Sequence, residues 1–219
     1  MIIRETTCPI CMSDDTSIMH RGDKGSHYRE FIHCSNCDLV FVPRNQILSP
    51  SKQKDRYLQH NNDIMDEGYR KFLNKLYSTL VLRLNSGSHG LDYGCGPGPA
   101  LAQMAKEDGF PISIYDPIFF PDKKVLEHQY NFITCTEAIE HFSDPRADFH
   151  KLDNMLSSEG LLGIMTGILE SWSNFPQWYY HRDSTHINFF SKNTLTWIST
   201  LLNYQVSFPR ENVAIFYKP

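Results

Sequence analysis

The sequence predicts an α/β fold: a doubly wound, mostly parallel sheet ending in an antiparallel C-terminal strand pair, behind a small metal-stapled module. Three observations carry this. From about residue 64 onward, short apolar runs alternate with stretches of helical periodicity, the pattern of strands joined by crossover helices. The last two strand-like runs, Gln205 to Phe208 and Val213 to Tyr217, follow each other with no helix between them and close the sheet as a pair. The first 48 residues hold short polar stretches around two cysteine pairs. A segment of that size usually needs a metal or disulfides to fold. Two domains are therefore expected, residues 1–48 and 49–219.

The cysteines come as Cys8-Pro-Ile-Cys11 and Cys34-Ser-Asn-Cys37, with 22 residues between the pairs. A CxxC turn places two thiolates on one side of a metal, and a second turn closes the tetrahedron without room for water. The expectation is a structural, zinc-ribbon-like site whose metal contributes folding energy. Two redox dithiols are the alternative. His20, His27 and His33 lie between the pairs, but four thiolates suffice without them. Metal-bound thiolates and the lack of a basic-then-apolar leader point to a reduced compartment, the cytoplasm. The longest nearly apolar run, Gly160 to Leu169, is too short for a bilayer. A formal charge of −4, with five Lys/Arg against six Asp/Glu in the first fifty residues, gives no basic footprint for nucleic acid.

The elements then follow in order. Leu39 to Val42 is strand-like, and Pro43 and Ser49-Pro50-Ser51 mark a linker. Met65, Tyr69, Phe72, Leu73, Leu76, Leu80 and Leu84 recur at helical steps, predicting a helix from Ile64 to Leu84. Strands are expected at Gly90–Tyr93, Ile112–Tyr115, Tyr130–Cys135 and Leu161–Met165. Helices are expected at Pro99–Glu107, Asp148–Leu156 and Lys192–Leu202. Between Asp116 and Tyr130 the chain is too short for both a helix and a strand, so Val125-Leu126 is the remnant of one.

The run Asp92-Tyr-Gly94-Cys95-Gly96-Pro-Gly98 ends the first of these strands. Its glycines let the backbone turn sharply and approach a ligand, and the helix that follows offers free N–H groups. The third glycine of a dinucleotide fingerprint is absent, because that position holds Pro99. D-x-G-x-G-x-G holds instead, and Asp116 stands at the tip of the second strand. Here the chain resembles the class I S-adenosylmethionine-dependent methyltransferases, which have a Rossmann-like sheet. The resemblance continues through Phe132 to Pro145 and Leu156 to Ile164, and covers roughly residues 60–219. It implies that Gly94, Cys95, Gly96 and Gly98 cradle the methionine portion of S-adenosylmethionine and that Asp92 meets its amino group. It places Asp116 on the ribose hydroxyls, with Pro117, Thr136 and Glu137 also lining the cofactor. Shortened relatives often carry an N-terminal zinc module, and some C-methylate nucleotide-linked deoxysugars.

Glu137-Ala-Ile-Glu140-His141 spaces two carboxylates and an imidazole for one face of a helical turn. Three readings compete: a helix start favoured by the macrodipole, His141 as general base beside Glu140, and a second, divalent metal site completed by His186. The last resembles the metal site of methyltransferases acting on small-RNA 3′ ends and on quinone precursors. The expected activity is methyl transfer to a small-molecule acceptor, a sugar or biosynthetic intermediate, with His141 as base. A non-catalytic, nucleotide-binding zinc-ribbon adaptor is the reading from another class. Trp172, Phe175, Trp178, Tyr179 and Tyr180 either line the acceptor pocket or pack a core. Tyr57, His60, Asn61 and Asn62 are candidates to fold over the cofactor.

Overall fold

The computed structural model describes residues 5–58 and 63–219, so His60, Asn61 and Asn62 lie outside the described residues. The chain runs through β1 (Thr16–Arg21), β2 (Glu30–Cys34), β3 (Val40–Phe41), α1 (Pro50–Tyr57) and α2 (Glu67–Val81). Next come β4 (Gly90–Tyr93), α3 (Ala100–Glu107), β5 (Ile112–Tyr115), β6 (Tyr130–Thr136), α4 (Pro145–Met155) and β7 (Leu156–Met165). It ends with β8 (Asn188–Phe189), α5 (Lys192–Leu202), β9 (Gln205–Arg210) and β10 (Val213–Tyr217). The larger sheet has the order β5-β4-β6-β7-β10-β9. Its first four strands are parallel, and β10 runs antiparallel to both of its neighbours. This is the doubly wound α/β architecture with an antiparallel end that the sequence predicts.

The sheet is apolar on both faces because helices cover both. Successive residues alternate between two cores, as the period of a strand demands. Phe132, Leu161, Met165, Val213 and Ile215 pack with Leu73, Leu76 and Leu80 of α2 and Leu101 and Ala105 of α3. Ile133, Leu162, Ile164, Ala214 and Phe216 pack with Phe149 and Leu152 of α4 and Leu195 and Ile198 of α5. Gly90 has no room for a side chain, since a Cβ there would stand 2.2 Å from the Phe132 ring. Helix α2 is shorter than its periodicity suggests because the Asp66 side chain accepts the Tyr69 N–H at 2.6 Å and caps it. Ile64 and Met65 are left exposed before the cap.

One expected element is corrected. Val125 and Leu126 are no strand remnant; they sit in a 3₁₀ turn, Lys123–Glu127, whose start is capped by Asp122. Strand β5 is therefore the edge of the sheet. The Tyr130 hydroxyl donates to Val125 O at 2.6 Å and ties the turn to β6.

The N-terminal strands form an antiparallel sheet of order β1-β2-β3-β8, so its last strand comes from the far end of the chain. Val40 pairs with Phe189 and Phe41 with Asn188. Phe31, Val40, Val42, Phe175, Tyr180, Ile187 and Phe189 make a shared core between the two parts. On the other side, Ile10 and Leu39 join the core beneath α4, and Arg146 Nη1 donates to Ile10 O at 2.7 Å. The segment expected as a linker holds a 3₁₀ turn, Arg44–Gln46, and the start of α1 at Pro50, and the smaller sheet crosses it. Among the described residues no helix is long and apolar enough to cross a membrane.

Candidate active site

The four CxxC cysteines converge at the foot of the small sheet. Cys8 Sγ lies 3.4 Å from Cys37 Sγ, and Cys11 Sγ lies 3.4 Å from Cys34 Sγ. All four sulfurs fall within 4.8 Å of one another and none is in a disulfide. Tetrahedral zinc with ~2.3 Å bonds needs sulfurs about 3.8 Å apart, so the cluster fits that ion. His20 packs on Phe31 instead, and His33 Nε2 pairs with Asp38 at 2.8 Å; neither belongs to the cluster. Asp38 Oδ1 also accepts Trp172 Nε1 at 2.7 Å, and its other oxygen accepts the Ser191 hydroxyl at the start of α5. The knuckle is thereby tied to two segments of the larger part.

At the carboxyl end of β4 the glycine loop bends as its composition requires. Gly94 (φ +73°) and Gly96 (φ +64°) occupy the left-handed region, and a Cβ on Gly94 would meet that of Ala138 at 2.7 Å. The N–H groups of Gly94 and Cys95 both point to Tyr115 O, at 2.8 and 3.2 Å, which holds the loop against the end of β5. Asp116 spans the two strand ends. Its Oδ2 accepts the Gly96 N–H at 3.1 Å, while Oδ1 accepts from Ile118 and Phe119 at 2.8 and 3.0 Å. Asp92 is buried below the loop, its Oδ1 accepting the Thr134 hydroxyl at 2.8 Å. Burial pushes its carboxyl up to about 6. Gly98 and Pro99 lead into α3, Pro117 is exposed beside Asp116, and Thr136 ends β6 with Glu137 next in the chain. The cofactor residues expected from sequence thus gather along one sheet edge, where ligands bind in open α/β folds.

The Glu137-to-His141 segment departs from the regular turn expected of it. Only Ile139–His141 are helical, as a single 3₁₀ turn. Glu137 sits before it in a left-handed conformation, φ +48°. A short hydrogen-bonded cluster results all the same. The Tyr180 hydroxyl donates to Glu140 Oε1 at 2.5 Å and lies 3.2 Å from Glu137 Oε2. Thr166 Oγ1 donates to Glu140 Oε2 at 2.9 Å. One tyrosine proton cannot serve two carboxylates. Burial and the neighbouring Glu140 push the Glu137 carboxyl up, which favours its protonated form.

The imidazoles complete the cluster. His141 Nδ1 faces Thr185 O at 2.9 Å, and His186 Nδ1 faces Tyr180 O at 2.8 Å. A carbonyl only accepts, so both Nδ1 atoms carry hydrogen, and neither Nε2 has a hydrogen-bond partner among the described residues. The two rings stand 4.9 Å apart, His141 Nε2 is 3.9 Å from Glu140 Oε1, and Tyr57 packs edge-on against His141 at 5.2 Å. Burial drives the His186 pKa down to about 4. Ligand atoms of Glu140, His141 and His186 lie within 4.8 Å of one another; Glu137 is not in that group.

A methyltransferase domain family matches residues 65–207, well over half of the 219. The chain belongs to that family. Among solved structures, the methyltransferase is similar to a 1,6-didemethyltoxoflavin N1-methyltransferase of Burkholderia thailandensis, solved with its namesake compound and S-adenosylhomocysteine bound. Identity is 14%, the TM-score 0.53, and the match covers 85% of this chain and 98% of that one. An S-adenosylmethionine-dependent methyltransferase of Archaeoglobus fulgidus matches with 17% identity and a TM-score of 0.51, over 68% of this chain and 94% of that one. Identities this low show the shared fold. No curated protein matches the sequence.

Sequence reasoning missed Thr166 and Thr185 and gave Tyr180 to the aromatic cluster only. Thr166 had a signal: a buried polar residue directly after the apolar run of β7. The aromatic run itself is mostly core. Phe175 is fully buried against the N-terminal sheet, Trp178 stacks on Tyr180 at 4.9 Å, and Tyr179 is exposed.

Proposed function

We propose that this methyltransferase moves the methyl group of S-adenosylmethionine to a hydroxyl of a small molecule, at a centre built from Glu140, His141 and His186. The observation that carries the reading is the pinning of both imidazoles. Each donates Nδ1–H to a backbone carbonyl, which leaves two Nε2 lone pairs beside one buried carboxylate. Histidine ligands are held this way in metal sites, and a lone general base would leave the second pinned imidazole without a purpose. A divalent cation held there would act as a Lewis acid on the acceptor oxygen. Tyr180, whose hydroxyl stands between Glu137 and Glu140, fixes the carboxylate that would share the cation.

S-adenosylmethionine supplies a methyl group activated by positive sulfur. The left-handed turns at Gly94 and Gly96 open the loop backbone to its methionine portion, and Asp116 presents a carboxylate beside that loop. Cys95, Gly98, Asp92, Pro117, Thr136 and Glu137 line the same edge. Alignment of the methyl with the acceptor does most of the work in such a displacement. A small acceptor is supported by the toxoflavin-type enzyme of the same fold and by the formal charge of −4, which does not favour nucleic acid. Zinc on Cys8, Cys11, Cys34 and Cys37 is the structural metal in this reading, and cysteines kept out of disulfides suit the cytoplasm.

Titration with S-adenosylhomocysteine tests the cofactor first; no heat of binding would sink the reading and its adaptor alternative alike. Methyl transfer to a panel of hydroxylated small molecules, with and without EDTA, tests the centre. Activity should collapse with chelator and return with Mg²⁺ or Mn²⁺. Activity that ignores chelator but is lost in His141→Ala would make His141 the base, as its free Nε2 permits. Cofactor binding without turnover on any acceptor would favour the adaptor.

A further inference from the structure

The most heavily used side chain at the join between the two parts is Arg29, at the start of β2. It is buried, and every one of its five N–H groups has a backbone carbonyl. Nη2 donates to His181 O at 2.6 Å and Asp183 O at 2.8 Å. Nη1 donates to His186 O at 2.9 Å and Ser184 O at 3.2 Å. Nε donates to Ser26 O at 3.2 Å, within its own hairpin. The hairpin aims it firmly: Gly22 N donates to Arg29 O at 2.8 Å, and Arg29 N to Ser26 O at 3.3 Å. Four of the five carbonyls thus belong to one stretch, residues 181–186, that has no regular strand or α-helix of its own.

That stretch carries the support of one imidazole and the whole of the other. Thr185 O holds His141, and His186 is itself a member of the centre. Ile187 N, the next residue, donates to Glu140 O at 2.9 Å, and Ile187 O accepts from Val42 N at 2.9 Å. From these contacts we infer that Arg29 is a positioning residue for the reaction centre, and that the N-terminal module completes the active site rather than merely capping the fold. A guanidinium is suited to this because its planar fork meets several carbonyls at once. A lysine ammonium has only three donors and no fixed fork.

The inference rests on the proposed cation site, and the experiment separates the two. Mn²⁺ binding to zinc-loaded protein is followed by the electron paramagnetic resonance of free Mn²⁺, with His186→Ala as control. Zinc content and S-adenosylhomocysteine affinity are measured on every variant. Arg29→Lys should weaken Mn²⁺ binding about 10–100-fold, the usual cost of losing a group that orients ligands, with zinc and cofactor binding unchanged. Should Arg29→Lys not fold, Arg29→Ala prepared with millimolar methylguanidinium is the second variant. Mn²⁺ affinity should then rise with methylguanidinium while zinc content stays constant. Wild-type binding retained in Arg29→Lys overturns the inference alone. So does Mn²⁺ affinity that changes only in step with zinc and cofactor binding, the mark of a purely structural clamp. No His186-dependent Mn²⁺ binding in the wild-type protein overturns the cation site itself, and the inference with it.

Discussion

The molecule gathers metal-ligating side chains in two places, and they are built on opposite plans. The cysteine cluster offers four thiols, enough to fill a tetrahedron, and its ligands come from two local turns. The Glu140–His141–His186 cluster offers three ligand groups and draws its supports from far along the chain, at Thr166, Tyr180 and Thr185. A full ligand set leaves nothing for a substrate, whereas a partial one leaves positions to fill. On the proposed reading, the closed cluster serves folding and the open one chemistry.

The largest effect should come from opening the closed cluster. Cys34→Ser should drop zinc well below one per chain by elemental analysis and destabilise the protein by about 4 kcal/mol or more, the range typical of losing a structural metal. Full zinc content in that variant would break the contrast at once. His186→Ala should do the reverse: Mn²⁺ affinity should fall by at least ~100-fold while zinc content and the urea midpoint stay near wild type. A variant that lost zinc as well would mean that the clusters are not independent.

Asp116→Ala sharpens the comparison from outside both clusters. Calorimetric titration should show S-adenosylmethionine binding weakened by about 1.5–3 kcal/mol, the worth of hydrogen bonds to a charged group, with both metals still bound. Normal affinity would remove Asp116 from the ribose. The last prediction concerns pH. The folded Asp92 carboxyl titrates at about 6 against an ordinary 3.8, chiefly through burial. Its neutral form contributes stability that is complete below about pH 4 and lost as pH rises through about 6. Asp92→Asn stays neutral and should flatten the urea stability profile across that window; an unaltered profile would assign the slope to other groups.

The same contrast governs what could be read from the sequence. CxxC pairs and a glycine loop are local devices: residue type and spacing alone dictate a metal knuckle or a left-handed turn. The sheet was legible for a similar reason, because β4, β6 and β7 are short apolar runs with two covered faces. The 3₁₀ turn at Val125 and Leu126 was not, since a capping aspartate at 122 and a Tyr130 hydrogen bond decide it. The Glu137-to-His141 spacing suggested a shared helical face, and the left-handed Glu137 removed it. What draws these groups together is Tyr180, 40 residues after Glu140 and 43 after Glu137. No periodicity links positions that far apart. Arg29 was invisible for the same reason: its value lies in carbonyls more than 150 residues away.

The pairing of β3 with β8 has a consequence for how the protein comes into being. Val40 leaves the ribosome 149 residues before its partner Phe189 (189 − 40). Contacts of such separation form late, because the intervening loop must close first. Until Phe189 is made, the β1–β3 hairpin and its cysteines stand with one strand edge unfilled. Such an edge invites pairing with other nascent chains. The chain keeps the hazard small: β3 is only two residues long, and Pro43 follows one residue beyond it. If the cysteine cluster holds zinc as proposed, metal starvation should lower the yield of newly made protein before it lowers the activity of protein already folded.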